Sequence, residues 1–378
     1  MLFASILRKI PIADTHRFSN QWFQGARMSL SVDIRKKYKK GFCLDVSFRT
    51  EEGETLALLG ASGSGKSITL KCIAGLLIPD EGRIVLNGRV LFDSAAKIDL
   101  KPQARGVGYL FQNYALFPNM TVRQNIEIAW RPGKASAGQS ADRRAAADAL
   151  LERFKLTAQA AQYPVQLSGG QQQRAALARI YASGPEALLL DEPFSALDSF
   201  LRENMQVELR RDIRDYEGDV VLVTHSRDEA YRIAGRLVIL DGGSVAAEGP
   251  LAELFADPVT AQAARITGCK NISRIRKTGD TQFFAEDWGV ELEAGREILP
   301  EHVYAGIRAH DFFACAGDNG FPVMIDEVVK GPFETSMLFR TPGQGAGDAP
   351  LWWIVPRGAD ISGTERLSIP PEKILLLR

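Results

Sequence analysis

Residues 60–67, GASGSGKS, follow the spacing G-x-x-x-x-G-K-[ST]. Closely spaced glycines let a backbone wrap an anion and aim several N–H groups at phosphate oxygens. Lys66 adds a point charge for the β- and γ-phosphates of a nucleotide, and the Ser67 hydroxyl is a ligand for Mg²⁺. The expected nucleotide-binding residues are therefore Gly60, Ala61, Ser62, Gly63, Ser64, Gly65, Lys66, Ser67 and Ile68. LLLDE (188–192) ends in two carboxylates. Asp191 suits the same Mg²⁺, directly or through water, and Glu192 is one residue further on, where a base for an attacking water belongs. The pair before Pro193 also fits an ordinary strand-ending turn; the phosphate loop elsewhere in the chain favours the acidic pair as chemistry.

Two further groups end apolar runs. VVLVTHS (220–226) carries His225, placed to donate a hydrogen bond to a terminal phosphate, and VGYLFQ (107–112) carries Gln112, whose neutral amide can touch Mg²⁺ or water. The other histidines, His16, His302 and His310, lack such a setting and are read as structural. A second anion-seeking stretch, LSGGQQQR (167–174), opens onto the periodic run AALARIYA. Its composition suits a turn presenting backbone N–H groups at a helix N-terminus. Why one chain carries two such loops is the question its sequence poses.

Those residues need strands that end together. TLALLG (55–60), GRIVLNG (82–88), VGYLFQ (107–112), ALLLDE (187–192), VVLVTH (220–225) and RLVILDG (236–242) read as strands. SITLKCIAGLL (67–77), ADRRAAADALLERF (141–154) and SFLRENMQVELRRDI (199–213) read as helices between them. Near-continuous apolar strands such as LLL and VVLV read as buried parallel strands, and their alternation with helices predicts an α/β sheet with a helical subdomain. A clean strand pattern starts at Met28, PGKASAGQS (132–140) reads as a loop, and ELFADPVTAQAARITG (253–268) as helical. Short strands rich in turn signals then take over: QFFAE, VYAGIRA, FPVMIDEVV, TSMLFRT and LWWIVP. The expected organisation is a flexible extension at 1–27, a nucleotide-binding domain at 28–250, a connector at 251–289 and a small all-β, OB-like domain at 290–378.

Bulk properties set limits. A chain of 378 residues is comfortable for two domains. Its 46 basic and 46 acidic residues balance, so nothing points to nucleic acid as a partner. No apolar run reaches the roughly 18–20 residues needed to cross a bilayer, so any membrane role is borrowed from another subunit. Cys43, Cys72, Cys269 and Cys315 are far apart and form no CxxC pair, which predicts reduced thiols. MLFASILRKIPIADTH lacks the apolar core and cleavage site of a signal peptide.

The phosphate loop, Gln112, LSGGQ, LLLDE, SALD (195–198) and His225 occur in an order and spacing that resemble the ATPase subunits of ABC transporters, over roughly residues 30–250. That resemblance answers the question of the second loop. It implies that two cassettes pair head to tail, so that Leu167, Ser168, Gly169, Gly170 and Gln171 of one chain close on the ATP held by the other. The helix from Gln171 onward would add its positive end, and Asp198 would lie on a loop spanning the two sites. It also implies an aromatic ring that stacks adenine, for which Tyr38 and Phe42 both stand in the right neighbourhood. Ser226 departs from the acidic residue common after the histidine.

One cassette followed by a β-rich tail resembles the importer ATPases with a TOBE/MOP-type domain, and VYAGIRAHD (303–311) resembles that domain's signature strand. NGRVLFDS, VGYLFQNYALFPNMTV, FSALDSFLRENMQ and TGCKNIS are most similar to molybdate/tungstate ATPases. The resemblance implies ATP and Mg²⁺ as cofactors, and a homodimer of cassettes held on the cytoplasmic face of a membrane by integral-membrane permease subunits. A solute-binding protein would act through that permease. Tyr114, Leu116 and Phe117 of NYALFP (113–118) are either core residues or the groove that receives the permease. Sulfate or thiosulfate import is the alternative within the class, and an oxyanion-sensing regulator without transport is the alternative outside it.

Overall fold

The computed structural model describes residues 28–38, 41–130, 140–195, 197–314, 317–345 and 347–378. The extension at 1–27, most of the loop at 132–140 and Cys315 lie outside the described residues. The first sheet is built from β1 (Met28–Lys37), β2 (Cys43–Glu51), β3 (Thr55–Gly60), β4 (Glu81–Leu86), β5 (Arg89–Asp93), β6 (Ile98–Asp99), β7 (Val107–Leu110), β8 (Ala187–Asp191), β9 (Asp219–Thr224), β10 (Arg236–Asp241) and β11 (Ser244–Pro250). Their spatial order is β6-β5-β4-β1-β2-β11-β10-β3-β9-β8-β7. Only the run β10-β3-β9-β8-β7 is wholly parallel. The opposite wing, β6-β5-β4-β1-β2, is antiparallel. Within it, Asn87 and Gly88 have φ of 50° and 75°, the two-residue turn that folds β4 directly onto β5.

The helices are α1 (Lys66–Ala74), α2 (Val122–Glu127), α3 (Ser140–Arg153), α4 (Gly169–Ala182), α5 (Ser199–Arg214), α6 (Arg227–Ile233), α7 (Leu251–Ala256) and α8 (Ala261–Ile266). Every residue of β8 and β9 is buried, because both sheet faces are covered. Side chains alternate between two cores. Leu189 and Val221 pack with α1 and the antiparallel wing, whereas Leu188, Leu190 and Leu222 pack with α2, α3, α4 and α5.

Arg105 anchors the far end of α1. Its side chain is fully buried. It donates from Nη1 to the carbonyls of Cys72 (2.7 Å) and Ile73 (2.9 Å), from Nε to that of Leu100 (2.8 Å), and from Nη2 to Asp99 (2.8 Å). The last carbonyls of a helix have no partner within it, so a cation there satisfies both the hydrogen bonds and the dipole. Gly75 ends α1 at φ 76°, and a Cβ there would stand 2.5 Å from Arg105 Nε. Cys72 beside it is buried, which pushes its thiol up to about 12.

The C-terminal strands are β12 (Asn271–Lys277), β13 (Gln282–Ala285), β14 (Val290–Glu293), β15 (Tyr304–Ile307), β16 (Phe321–Pro322), β17 (Met324–Lys330), β18 (Glu334–Arg340), β19 (Leu351–Pro356), β20 (Arg366–Leu367) and β21 (Leu375–Leu377). They form the sheets β14-β13-β12-β15-β21, β17-β18-β19 and β16-β20 around one core containing Phe283, Trp288, Phe339, Trp353 and Leu376. β12 and β13 fall within the stretch expected to be connector, yet they pair into this sheet. Arg308, from the VYAGIRAHD stretch, follows β15 and donates to the carbonyls of Thr267 (3.0 Å) and Phe255, joining the β region to α7 and α8.

Candidate active site

β7, β8, β9 and β3 are parallel neighbours, so their C-terminal ends open at one sheet edge, where ligands of α/β sheets bind. Gly60 ends β3, Asp191 ends β8, His225 follows β9 and Gln112 lies just past β7. Strand order alone brings these sequence-distant positions together.

At β3, the 60–67 loop turns through Gly63 (φ 82°) and Gly65 (φ 102°), the latter being the N-cap of α1. A Cβ at Gly60 would be 2.2 Å from the Leu240 carbonyl oxygen, so the loop is clamped against the end of β10. Ala61 and Ser62 are exposed, Ser64 is buried, and Ile68 leans on the α1 core. Lys66 is buried, and its Nζ donates to the carbonyls of Gly60 and Ala61, each at 2.8 Å. Burial lowers its pKa, against the opposing charges of Glu192 and Asp191. An ammonium held on loop carbonyls is free to exchange them for phosphate oxygens at the same loop.

Ser67 Oγ donates to Asp191 Oδ1 at 2.7 Å, and the Tyr109 hydroxyl donates to Asp191 Oδ2 at 2.7 Å. Asp191 is buried, so both bonds act at low dielectric. Glu192, the next residue, has φ 46°, a conformation uncommon for a side-chain-bearing residue. Its N–H donates to the Val223 carbonyl (3.0 Å), and its own carbonyl accepts from Ser195 N (3.2 Å) and Ser195 Oγ (2.9 Å). Those bonds hold the strained residue so that its carboxylate turns out of the strand line. His225 Nδ1 lies 3.4 Å from Glu192 Oε1, and Gln112 Nε2 lies 3.5 Å from Oε2. Glu192 thus stands between His225 and Gln112, both read from the sequence, whereas Gln112 faces Glu192 rather than Ser67. Ser226 replaces an acidic residue without loss of local structure: its side chain caps α6 by accepting from Glu229 N at 3.3 Å.

The segment after Gln112 is braced. Tyr114 and Ala115 have φ of 58° and 46°. Arg179 of α4 donates to their carbonyls at 3.1 and 2.7 Å and lies over the Phe117 ring, 5.4 Å from its centroid. The Tyr114 hydroxyl reaches the Pro193 carbonyl (3.4 Å), beside Glu192. Of the three apolar residues singled out here, Tyr114 is buried and Leu116 packs on the core, so Phe117 alone is 46% exposed.

The LSGGQ stretch begins α4 at Gly169, two residues earlier than the helix expected from Gln171. Ser168 is its N-cap: Ser168 Oγ accepts from Gln171 N (3.3 Å), and Gln171 Oε1 accepts from Ser168 N (2.9 Å). Leu167 is buried. A Cβ on Gly169 would be 2.9 Å from Leu197 Cδ2, and one on Gly170 would be 3.2 Å from Met205 Sδ. The glycine pair therefore lets α4 start against the α5 region. Asp198 caps α5, accepting from Leu201 N at 2.9 Å. Of the two aromatic candidates, Phe42 packs on the α1 core, and Tyr38 is 38% exposed, with ring centroids 6.0 Å apart.

The sequence reading passed over Tyr109, Ser195 and Arg179. For Tyr109 a signal exists: a hydroxyl inside an apolar strand run must find a partner. Arg179 and Ser195 bond to backbone carbonyls, which leave no pattern in a sequence.

Comparison with known proteins places this geometry. A family described as "ABC transporter" matches residues 43–195. The chain is 37% identical over 286 residues to the molybdenum import ATP-binding protein ModC of Paramagnetospirillum magneticum, covering 74% of this chain and 77% of that protein. It is 35% identical over 335 residues to the sulfate/thiosulfate import ATP-binding protein CysA 2 of Agrobacterium fabrum, covering 86% and 91%. Among solved structures, the dimeric post-hydrolysis state of the ATP-binding cassette MJ0796 bound to ADP and Pi is 32% identical, with a TM-score of 0.50 over 59% of this chain and 98% of that one. With its phosphate loop, acidic strand end and LSGGQ helix set on this fold, the chain belongs to the ATP-binding cassette ATPases of ABC transporters.

Proposed function

We propose that the chain is the ATPase of an ABC importer for an oxyanion, molybdate or tungstate first. The observation that carries the chemistry is the meeting of Ser67, Asp191, Glu192, His225 and Gln112 at one sheet edge beside the 60–67 loop. The loop N–H groups and Lys66 hold the β- and γ-phosphates. Glu192 takes the proton of the attacking water, while His225 and Gln112 keep that water and the terminal phosphate in line. Ser67 Oγ and Asp191 Oδ1 are hard oxygens in contact, a donor pair suited to Mg²⁺, which takes few protein ligands and keeps phosphate and water. When bound, that ion would neutralise charge on the phosphates.

Ser168, Gly169 and Gly170 serve the second chain of a head-to-tail pair, where the positive end of α4 meets its γ-phosphate. Asp198 lies between the two sites. The dimeric cassette bound to ADP and Pi supports this pairing. Phe117, exposed on a segment braced to both α4 and Pro193, offers the contact for an integral-membrane permease on the cytoplasmic side, with a solute-binding protein acting through it. The ModC relative supports molybdate; CysA 2, matched over more of its length, favours sulfate or thiosulfate as the second reading. Uptake of labelled molybdate, tungstate and sulfate by the reconstituted transporter decides between them. ATP-dependent molybdate uptake indifferent to excess sulfate supports the first reading, and the reverse result replaces it. ATP hydrolysis with no uptake of any of the three would favour a regulator.

A further inference from the structure

Asp191 has a partner on each carboxylate oxygen, and only Ser67 is part of the phosphate-loop motif. The other, Tyr109, comes from the neighbouring strand. β7 pairs with β8 in parallel, with Tyr109 opposite Leu189, so Asp191 is the diagonal neighbour two residues further along the same face. A diagonal neighbour in a sheet is beyond a short side chain but within reach of an aromatic one. The phenol spans that gap and ends 2.7 Å from Oδ2. The ring is seated against Phe111, centroids 4.5 Å apart, and against the α1 core, so the hydroxyl is delivered from a fixed direction.

We infer that Tyr109 is a positioning residue for the metal-facing carboxylate, holding Oδ2 so that Oδ1 stays turned toward Ser67. This rests on the proposed reading of Ser67 and Asp191 as the pair that meets Mg²⁺. Without the hydroxyl the carboxylate is freer to rotate about its last bond, and Oδ2 loses the bond that Tyr109 gives it. Groups that orient a metal's ligands typically affect metal affinity by about 10–100-fold. Nucleotide affinity without the metal depends on the loop N–H groups and Lys66, which Tyr109 does not touch.

The test is binding of a fluorescent ATP analogue to the full chain, in EDTA and across a MgCl₂ titration, for wild type, Tyr109→Phe and Asp191→Asn. Tyr109→Phe keeps the ring and its packing, and an unchanged affinity in EDTA is the check that it folds. It is expected to need about 10-fold or more higher Mg²⁺ for half-maximal enhancement of binding. Mn²⁺ binding followed by electron paramagnetic resonance should weaken in parallel, a readout independent of nucleotide fluorescence. A Mg²⁺ midpoint within about twofold of wild type in Tyr109→Phe, with Asp191→Asn shifted, overturns the role of Tyr109 and leaves the metal pair standing. If Asp191→Asn itself titrates like wild type, the metal pair is wrong and this inference falls with it. A loss of affinity in EDTA equal to that in Mg²⁺ would make Tyr109 merely structural.

Discussion

Replacing Arg105 with methionine tests whether the phosphate-loop helix is held from its far end. The substitution keeps apolar length in a site with no solvent exposure and removes donors to the carbonyls of Cys72, Ile73 and Leu100 and to Asp99. Removing one member of a buried ion pair costs about 3–5 kcal/mol. Asp99 is 40% exposed and rehydrates once released, which trims that figure. The Cys72 carbonyl keeps the Gly75 N–H at 3.2 Å, but the loss of the Arg105 donor at the Ile73 carbonyl costs about 1–3 kcal/mol, which restores the figure. The expected loss is about 3–5 kcal/mol of cassette stability. With a urea m-value of about 2–3 kcal/mol/M, the cassette transition moves down by about 1–2.5 M. Far-UV circular dichroism through a urea titration reads this directly. Arg105→Lys should recover only part of the loss, because an ammonium cannot reach four acceptors in a fork. Well below the transition, nucleotide affinity should change less than about threefold, since the binding loop is at the opposite end of α1. A transition within about 0.3 M of wild type would refute the reasoning: water would then be satisfying these carbonyls.

Two further predictions concern the reaction. Glu192→Gln should keep nucleotide binding and lower turnover by about 10²–10⁴-fold in the assembled transporter; a near-normal phosphate-release rate would remove Glu192 as the base. Ser168→Arg puts a bulky cation at the exposed start of α4, so a mixed pair of one altered and one normal chain should lose the single ATP site facing the altered loop. Nucleotide photocrosslinking to Ser168 in an isolated monomer would show instead that each chain completes its own site.

Strongly patterned parts of the chain were legible as sequence. TLALLG was read at the bounds of β3, because an apolar strand running into a glycine-rich loop leaves little latitude. β8 and β9 were read to within a residue, since a strand covered on both faces must be apolar at every position. The β4–β5 hairpin was missed despite its Asn-Gly turn, and α2 was missed because its signal is a capping box on only six residues. QFFAE was read as a strand and is β13, whereas β12 was missed, because one of its pairing partners, β15, comes some thirty residues later in the chain.

Residue types and short-range spacing decide which groups can bind phosphate, ligate a hard cation or accept a proton, so the sequence by itself determined the chemistry and the family. Tertiary structure decided what each group faces. Strand order put β7, β8, β9 and β3 side by side, turning residues more than a hundred positions apart into neighbours. It gave Glu192 both His225 and Gln112, gave Asp191 a tyrosine from the next strand, and buried Tyr114 while leaving Phe117 outside. The physical reason is that a strand's own pattern records which face is buried, whereas its neighbour is chosen by hydrogen bonding between backbones that carry no side-chain label.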